Sequence, residues 1–235
     1  MDNYTIIRRQ LRSLRAEHVL LGRMNNLGKG TISRRQARPD CAAHDLPSSK
    51  YNLAIFCRNA RFRSAQYASP LRLHFQRHDL QQVVWILQQE LDSLIRTTHL
   101  LSIEDYSERQ KLIKASVNGE PWKVDASDGI PLEITNKGMA ENSEQFYTWI
   151  ASVYRFGCAF IHLSALSDLS TRDPFRSLPE GQRRDILQHL QSYHGESIED
   201  NASFTDISSY FPAVFDEVSD NLEWYLRCLE NAEDI

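Results

Sequence analysis

Two cationic side chains stand in a strongly apolar segment, "YRFGCAFIHL", which spans residues 154–163. Arg155 and His162 are seven positions apart, nearly two helical turns, so on a helix both side chains leave the same face. Ala159 lies between them on that face and leaves room for a ligand atom. A guanidinium binds phosphate through two hydrogen bonds and keeps its charge, and an imidazole exchanges protons near neutral pH. The pair therefore suits metal-independent attack of an RNA 2′-hydroxyl on its neighbouring phosphate.

This segment resembles the HEPN family, whose hallmark is an arginine, four to six residues and then a histidine within a helical bundle. The six residues "FGCAFI" separate Arg155 from His162, and "YRFGCAFIHLSALSDL" is similar to family versions in which Tyr-Arg precedes a small, apolar stretch. The resemblance covers roughly residues 75–232. It implies that Arg155 holds the phosphate and that His162 acts as general acid and base. It also implies a homodimer in a toxin or antiviral defence setting, although some members have lost catalysis and serve as binding or assembly modules.

Other arginine–histidine pairs match the same spacing, so spacing alone does not identify the site. The main rival is Arg184 with His189 in "RRDILQH", where an acidic residue follows the arginine, as a polar residue does in many family members. We favour Arg155 and His162 because a cation on an apolar helix has to be compensated. The alternative is that Arg155 pairs with a core carboxylate and that His162 is a hydrogen-bonded core imidazole.

A second candidate surface comes from a basic and aromatic stretch at residues 56–78. Arginines bind phosphates and aromatic rings stack on bases, so this composition suits RNA or single-stranded DNA. The alternative is an amphipathic helix with an arginine-coated outer face. The predicted RNA-binding residues are Arg58, Arg61, Arg63, Arg72 and Arg77, which are interleaved with Phe56, Phe62, Tyr67 and Phe75.

No metal or cofactor is expected from the sequence. His74 and His78 are four positions apart, but only Asp79 has the local spacing of a third ligand, which argues against a metal site. The four cysteines are far apart and include no CxxC pair, so we expect reduced, structural thiols. The motifs GxxxxGK(S/T), GxGxxG, HExxH and GxSxG are also missing from the sequence, which disfavours a nucleotide-binding α/β enzyme.

Helical periodicity dominates the elements that position these residues. The clearest prediction is a helix at residues 78–101, with Asp79 as its N-cap and an apolar stripe that repeats at three and four positions. Gly, Pro and an Asp-Gly turn favour a small β-hairpin or an ordered loop near 119–135. Further helices are predicted at 4–24, at 51–77 with a break near Pro70, at 104–117, at 140–169 and at 180–194. A last helix is predicted at about 208–232, with an apolar stripe of Phe211, Phe215, Val218, Leu222, Tyr225 and Leu229.

These elements predict an all-α fold with an antiparallel helical bundle. The resemblance implies a bundle of the HEPN-like kind. The expected domains are a basic N-terminal helix and linker arm at residues 1–50 and a helical domain at residues 51–235. Residues 1–50 hold ten basic side chains against four acidic ones, whereas residues 196–235 hold one arginine against eleven acidic ones. This asymmetry suits an anion-binding end, a protein partner bound through the basic arm or the acidic C-terminus, or two solvated faces.

The composition, 41% hydrophobic and 25% charged, is that of an ordinary globular protein, and no apolar run reaches the ~20 residues of a membrane span. The start "MDNYTIIRRQLRSLR" has no secretory signal, so we expect a cytoplasmic protein without a membrane partner.

The Arg155–His162 pair and the family resemblance together predict a metal-independent HEPN-like endoribonuclease with RNA as its partner. The alternative is a non-catalytic helical module for protein interaction or assembly.

Overall fold

The described part of the chain is built mainly from helices. The structure, a computed structural model, describes residues 48–125, 131–143, 153–154, 156–157, 172–194 and 198–232. These residues confirm the predicted all-α class, with seven helices and one small antiparallel sheet. In chain order the elements are α1 (Ser48–Gln76), α2 (Leu80–Ser102), α3 (Tyr106–Asn118), β1 (Lys123–Asp125), β2 (Pro131–Glu133), α4 (Asn136–Ser143), α5 (Glu180–His194), α6 (Phe204–Ser208) and α7 (Phe211–Ala232).

The predicted domain boundary at residue 50 stays a prediction. Leu46–Ile235 group into one compact unit, which agrees with a helical domain that begins close to this point. The predicted basic arm, including the helix at 4–24, lies outside the described residues. Most of the predicted helix at 140–169 also lies outside them.

Helix α2 forms the centre of the bundle. It packs against α1, α4 and α7, and its contact with α7 is the most extensive. Leu91, Leu94 and Ile95 are almost fully buried, and burial of each such side chain stabilises the fold by about 1.5–3 kcal/mol. Thr97 and Thr98 are buried as well, and their hydroxyl groups donate to backbone carbonyl groups of the preceding turn. None of the described helices, α2 included, is long and apolar enough to cross a membrane.

Helix α7 carries the apolar stripe that its sequence predicts. All six stripe residues are buried, and Leu222 and Leu229 are no more than 1% exposed. The helix begins at Phe211, three residues later than predicted, because the separate short helix α6 precedes it. A capping box starts α6, in which Ser203 and Asp206 each satisfy a backbone N–H group of the other.

Helix α1 runs without a break through Pro70, so the predicted break at this position is wrong. A proline inside a helix loses one hydrogen bond and crowds the carbonyl group four residues earlier, at a cost of about 3 kcal/mol. Contacts next to the proline offset this cost. Leu71 is fully buried, and Arg72 forms an ion pair with Asp216 of α7 at 2.8 Å.

The turn between α1 and α2 closes one helix and starts the next. His78 has a left-handed φ of 57°, and the N–H groups of His78 and Asp79 donate to the carbonyl groups of Phe75 and His74. Asp79 occupies the predicted N-cap position of α2, but its side chain makes no capping hydrogen bond. Its carboxylate instead lies 3.0 Å from Nδ1 of His74, which ties the turn to the end of α1.

A short β-hairpin follows α3, so of the hairpin and the ordered loop that the sequence favours here the structure has the hairpin. The predicted Asp-Gly turn lies outside the described residues. Gly119 caps the end of α3, and its φ of 74° is a left-handed conformation that glycine adopts without strain. Strands β1 and β2 are antiparallel, with Val124 opposite Leu132. Trp122, just before β1, is 2% exposed, and its indole N–H donates to Oγ of Ser116 at 2.7 Å. The hairpin is therefore anchored to the end of α3.

Helices α1 and α7 run antiparallel and are joined by charged side chains. Arg61 donates through Nε to Glu223 at 2.7 Å and through Nη1 and Nη2 to Glu230 at 2.7 and 2.9 Å. Further along α1, Arg72 reaches Asp216, which lies earlier on α7. Three carboxylates of the acidic C-terminal segment are thus bound within the chain itself.

We expect Arg61→Ala to lower the free energy of unfolding by about 1–2 kcal/mol, because it removes the guanidinium that Glu223 and Glu230 share. The effect stays below that of a fully buried pair, since the Arg61 side chain keeps 35% of its exposure. Arg58→Ala is the matched control, because Arg58 is exposed on the same helix and makes no ion pair with the described residues. Urea denaturation followed by circular dichroism measures both variants. Equal stabilities would show that the Arg61 ion pairs contribute nothing.

Candidate functional site

The predicted catalytic residues Arg155 and His162 lie outside the described residues, and their assignment stays a prediction. The described neighbour Phe156 is 6% exposed. Its ring packs against the rings of Phe175 and Phe204, with centroids 6.4 and 6.0 Å apart. Core packing therefore explains why an apolar residue follows the arginine here.

A small apolar cavity lies between this segment and helices α2, α5 and α7. Its volume is about 60 Å³, and Val84, Phe156, Gly157 and His189 contribute to its walls. A Cβ atom on Gly157 would overlap the side-chain amide of the buried Gln88, so glycine permits the close approach to α2. The cavity places the imidazole of His189 among aliphatic side chains.

The rival pair, Arg184 and His189, does not converge on one surface. The Arg184 side chain is 72% exposed and pairs with Glu180 one turn earlier at 2.5 Å. His189 is 4% exposed, and its Nε2 atom lies 3.3 Å from Oε2 of Glu217 on α7. Both residues belong to α5, but one faces solvent and the other faces the interior.

The five predicted RNA-binding arginines differ in what they contact. Carboxylates of α7 compensate the charges of Arg61 and Arg72. Arg58 and Arg77 are exposed. Arg63 is half-buried, and its guanidinium donates to the Ser93 hydroxyl on α2. The five therefore do not form one continuous basic patch, and Arg63 is the member that faces a concave surface.

That surface is a polar cleft between α1, α2 and the end of α3, with a volume of about 370 Å³. Arg96 of α2 lines it together with Arg63, and we call it the Arg63–Arg96 cleft. Burial lowers the pKa of Arg96, and the charge of Arg63 lowers it further, whereas Asp92 opposes both effects. The two guanidinium groups are therefore close enough to repel one another. Other residues in the walls are Phe56, Asn59, Ser93, Ser116 and Glu120.

Arg96 also borders a second opening, the hairpin cleft, whose volume is about 620 Å³. Its guanidinium lies over the Trp122 ring, 5.1 Å from the centroid, and Nη2 donates to Oδ1 of Asn136 at 2.8 Å. Tyr154, which precedes Arg155 in the chain, lines the same opening. Arg96 is thus held in position between two adjoining clefts.

Asp92 lies beside these arginines on α2. Burial raises the pKa of its carboxyl group to about 6, while the charges of Arg96 and Arg63 act in the opposite direction. The desolvation of the ionised carboxylate outweighs its attraction to the two guanidinium groups. Asp92 therefore titrates within the range of mildly acidic pH.

We expect Asp92→Asn to be more stable than the wild type above pH 6 by about 1–3 kcal/mol, with a difference that shrinks as the pH falls. Folding raises the pKa of Asp92 from its ordinary 3.8 to about 6, so the folded state holds this proton more tightly. The wild type consequently loses stability as the pH rises through that window, and the asparagine variant avoids this loss. Urea denaturation of both proteins between about pH 4 and 8 measures the difference. A difference that is independent of pH would contradict a titrating, buried Asp92.

Helices α5 and α7 bring together three groups that sequence reasoning did not connect. The Nε2 atoms of His189 and His194 lie 3.3 and 3.6 Å from Oε2 of Glu217, and one ligand atom of each residue falls within 4.8 Å of the others. Burial lowers the pKa of His194, although the charge of Glu217 opposes this shift. The only local signal is the pair of histidines on α5, because the carboxylate comes from a different helix.

The two described cysteines are poor nucleophiles. Burial, together with the nearby Glu230, raises the pKa of Cys57 to about 12. Burial alone raises the pKa of Cys228 to about 11. Both are free thiols and stay protonated at neutral pH, which agrees with the expected structural role.

Comparison with known proteins identified no relative of this chain. No family model matches the chain, and neither a curated protein nor a solved structure matches it. The described residues therefore define only a class, that of an all-α protein with an arginine-lined polar cleft and a buried histidine–carboxylate cluster. The resemblance to the HEPN family stays a prediction.

Proposed function

We propose that this protein is a HEPN-like endoribonuclease that forms a homodimer and cuts RNA without a metal ion in the reaction. One observation carries the proposal: Arg63 and Arg96 line the same polar cleft, and Arg96 also borders the opening lined by Tyr154. Tyr154 directly precedes Arg155, the proposed phosphate-binding residue. A toxin or antiviral defence setting follows from the family resemblance alone.

An RNA phosphate fits the electrostatics of the Arg63–Arg96 cleft. The charges of Arg63 and Arg96 attract a phosphate, and the neighbouring Asp92 compensates part of them. Guanidinium groups do not lose their proton and match phosphate geometry through paired N–H donors. Asn59 and Ser116 also line the cleft and supply neutral hydrogen-bond donors.

The same region of α1 offers aromatic surface for bases. Phe56 lines the cleft, and Phe62, further along the helix, has 64% of its surface exposed. Bases of single-stranded RNA stack on such rings with about 1–3 kcal/mol per base. Phosphate contacts in the cleft and stacking beside it together favour a single-stranded substrate.

The proposed reaction needs one phosphate-binding group and one group that transfers protons. His162 takes the proton of the ribose 2′-hydroxyl, and the 2′-oxygen forms a bond to the neighbouring phosphorus. The bond between phosphorus and the 5′-oxygen breaks, and the leaving oxygen receives a proton from the imidazolium. Arg155 stabilises the charge that develops on the phosphoryl oxygens. The products end in a 2′,3′-cyclic phosphate and a 5′-hydroxyl.

We expect Arg155→Ala and His162→Ala to abolish cleavage of single-stranded RNA when no metal is added, with helical content unchanged by circular dichroism. Product ends are identified by mass spectrometry. Arg184→Ala is the control, and it should cut at the wild-type rate because Arg184 is exposed and paired with Glu180. Loss of cleavage in the control alone would assign the site to Arg184 and His189. A wild type that does not cut RNA would overturn the proposal.

We expect Arg63→Gln to weaken RNA binding and to reduce the dependence of log K on log salt by about 0.7–1, the loss of roughly one phosphate contact. Arg61→Gln is the matched control, since Arg61 lies on the same helix but is held by Glu223 and Glu230. Fluorescence anisotropy in the His162→Ala background measures binding without cleavage. Equal losses in both variants would remove the Arg63–Arg96 cleft from the RNA-binding surface.

One observation favours a second candidate function, a non-catalytic interaction module. Tyr51, Phe62 and Leu73 are 42%, 64% and 45% exposed. They are spaced by 11 residues, about three helical turns, so they lie along one face of α1, on which Arg58 and Ser69 are also exposed. This face therefore offers separate apolar contacts to a partner protein, with polar groups between them. A folded protein that neither binds nor cuts RNA but associates through this face would support the alternative.

A further inference from the structure

We propose that His189, His194 and Glu217 form a zinc-binding site that joins the end of α5 to α7. His194 is the last residue of α5, and Glu217 lies near the start of α7. The proposed RNA chemistry needs no metal, so this site is additional to it. It also departs from the sequence-based expectation that the protein binds no metal.

Two of the three distances between the ligand atoms match those around a tetrahedral zinc ion, and the third, between the two histidines, is no more than 4.8 Å. Bonds of about 2.0–2.2 Å at tetrahedral angles separate two ligand atoms by about 3.3–3.6 Å. Oε2 of Glu217 lies 3.3 Å from Nε2 of His189 and 3.6 Å from Nε2 of His194. An ordinary N–H···O hydrogen bond is shorter, at about 2.9–3.0 Å. One ion coordinated by all three atoms accounts for both separations.

The burial of the cluster favours a bound cation. The side chains of His189, His194 and Glu217 are 2%, 14% and 15% exposed. Among the described residues, the ion pairs of Glu217 are those with these two histidines. An ionised carboxylate in such a place needs a compensating positive charge. A divalent cation supplies that charge while both imidazoles stay neutral, which is their metal-binding form.

The ligand types select zinc over calcium or magnesium. Two imidazole nitrogens and one carboxylate oxygen are a set that zinc commonly uses, with water as the fourth ligand, whereas calcium and magnesium prefer oxygen ligands. The Tyr193 ring lies 4.7 Å from the ring of His189, and the Tyr210 ring lies 5.9 Å from that of His194. These two aromatic rings thus pack beside the two imidazoles.

A zinc ion bound to these three residues connects α5 to α7. The ligands come from two different elements, so they reach binding distance only in the folded chain. Zinc therefore stabilises the folded state by mass action. The link holds the end of α5 against the helix that also packs on α1 and α2.

Zinc content, measured on the dialysed full-length protein after incubation with Zn²⁺, tests this site. We expect one zinc ion per chain and a rise in Tm with added zinc. Glu217→Gln and His194→Gln should lose zinc affinity by more than about 100-fold, because changes outside the ligands already cost about 10–100-fold. His74→Gln is the matched control, since His74 forms a separate histidine–carboxylate pair with Asp79 at 3.0 Å. It should bind zinc as the wild type does.

Substitution with Co²⁺ provides a second measurement on the unaltered protein, in case a variant fails to fold. We expect the visible absorption of tetrahedral Co²⁺ without a thiolate-to-cobalt band. Failure of the wild type to bind zinc or cobalt overturns the proposal. Unchanged zinc binding in Glu217→Gln and His194→Gln does so as well, and a thiolate band would assign the metal to cysteines instead.

Discussion

The burial of α2 is the constraint on which the rest of the structure depends. This helix is covered by α1, α4 and α7, yet it carries ionisable groups toward its neighbours. Glu90 is fully buried, and burial raises its pKa, while the hydroxyl groups of Ser64 on α1 and Ser219 on α7 act in the opposite direction. These two hydroxyls also hydrogen bond with each other at 2.7 Å. The neighbours of α2 must therefore present polar groups as well as apolar ones.

The central position of α2 also determines which groups the arginines of α1 contact. Arg61 and Arg63 are two positions apart, which rotates their side chains by about 200° around the helix. Arg61 consequently meets the carboxylates of α7, whereas Arg63 points to α2 and opens onto a cleft with Arg96. The basic stretch of α1 thus supplies both an arginine that stabilises the bundle and an arginine that lines the cleft. Packing, and not the number of arginines, separates the two roles.

Helix α7 distributes its acidic side chains in a corresponding way. Asp216, Glu223 and Glu230 compensate arginines of α1, and Glu217 turns instead to the histidines of α5. Four acidic side chains of the C-terminal segment thus serve contacts within the described part of the chain. The proposed zinc link at Glu217 and the proposed RNA-binding cleft are compatible, because the cleft is built from α1, α2 and the end of α3.

The all-α class, the hairpin after α3 and the full apolar stripe of α7 follow from the sequence alone. Each depends on periodicity or turn chemistry within a short segment, which neighbouring residues reveal without knowledge of distant contacts. The continuity of α1 through Pro70 is a local feature that the sequence did not predict, because it depends on the packing of α1 against the bundle. The partners of the charged groups depend entirely on the tertiary structure, since Arg61 meets Glu230 across 169 positions of the chain. The cluster of His189, His194 and Glu217 has the same origin, because only the packing of α5 on α7 brings a carboxylate to two imidazoles.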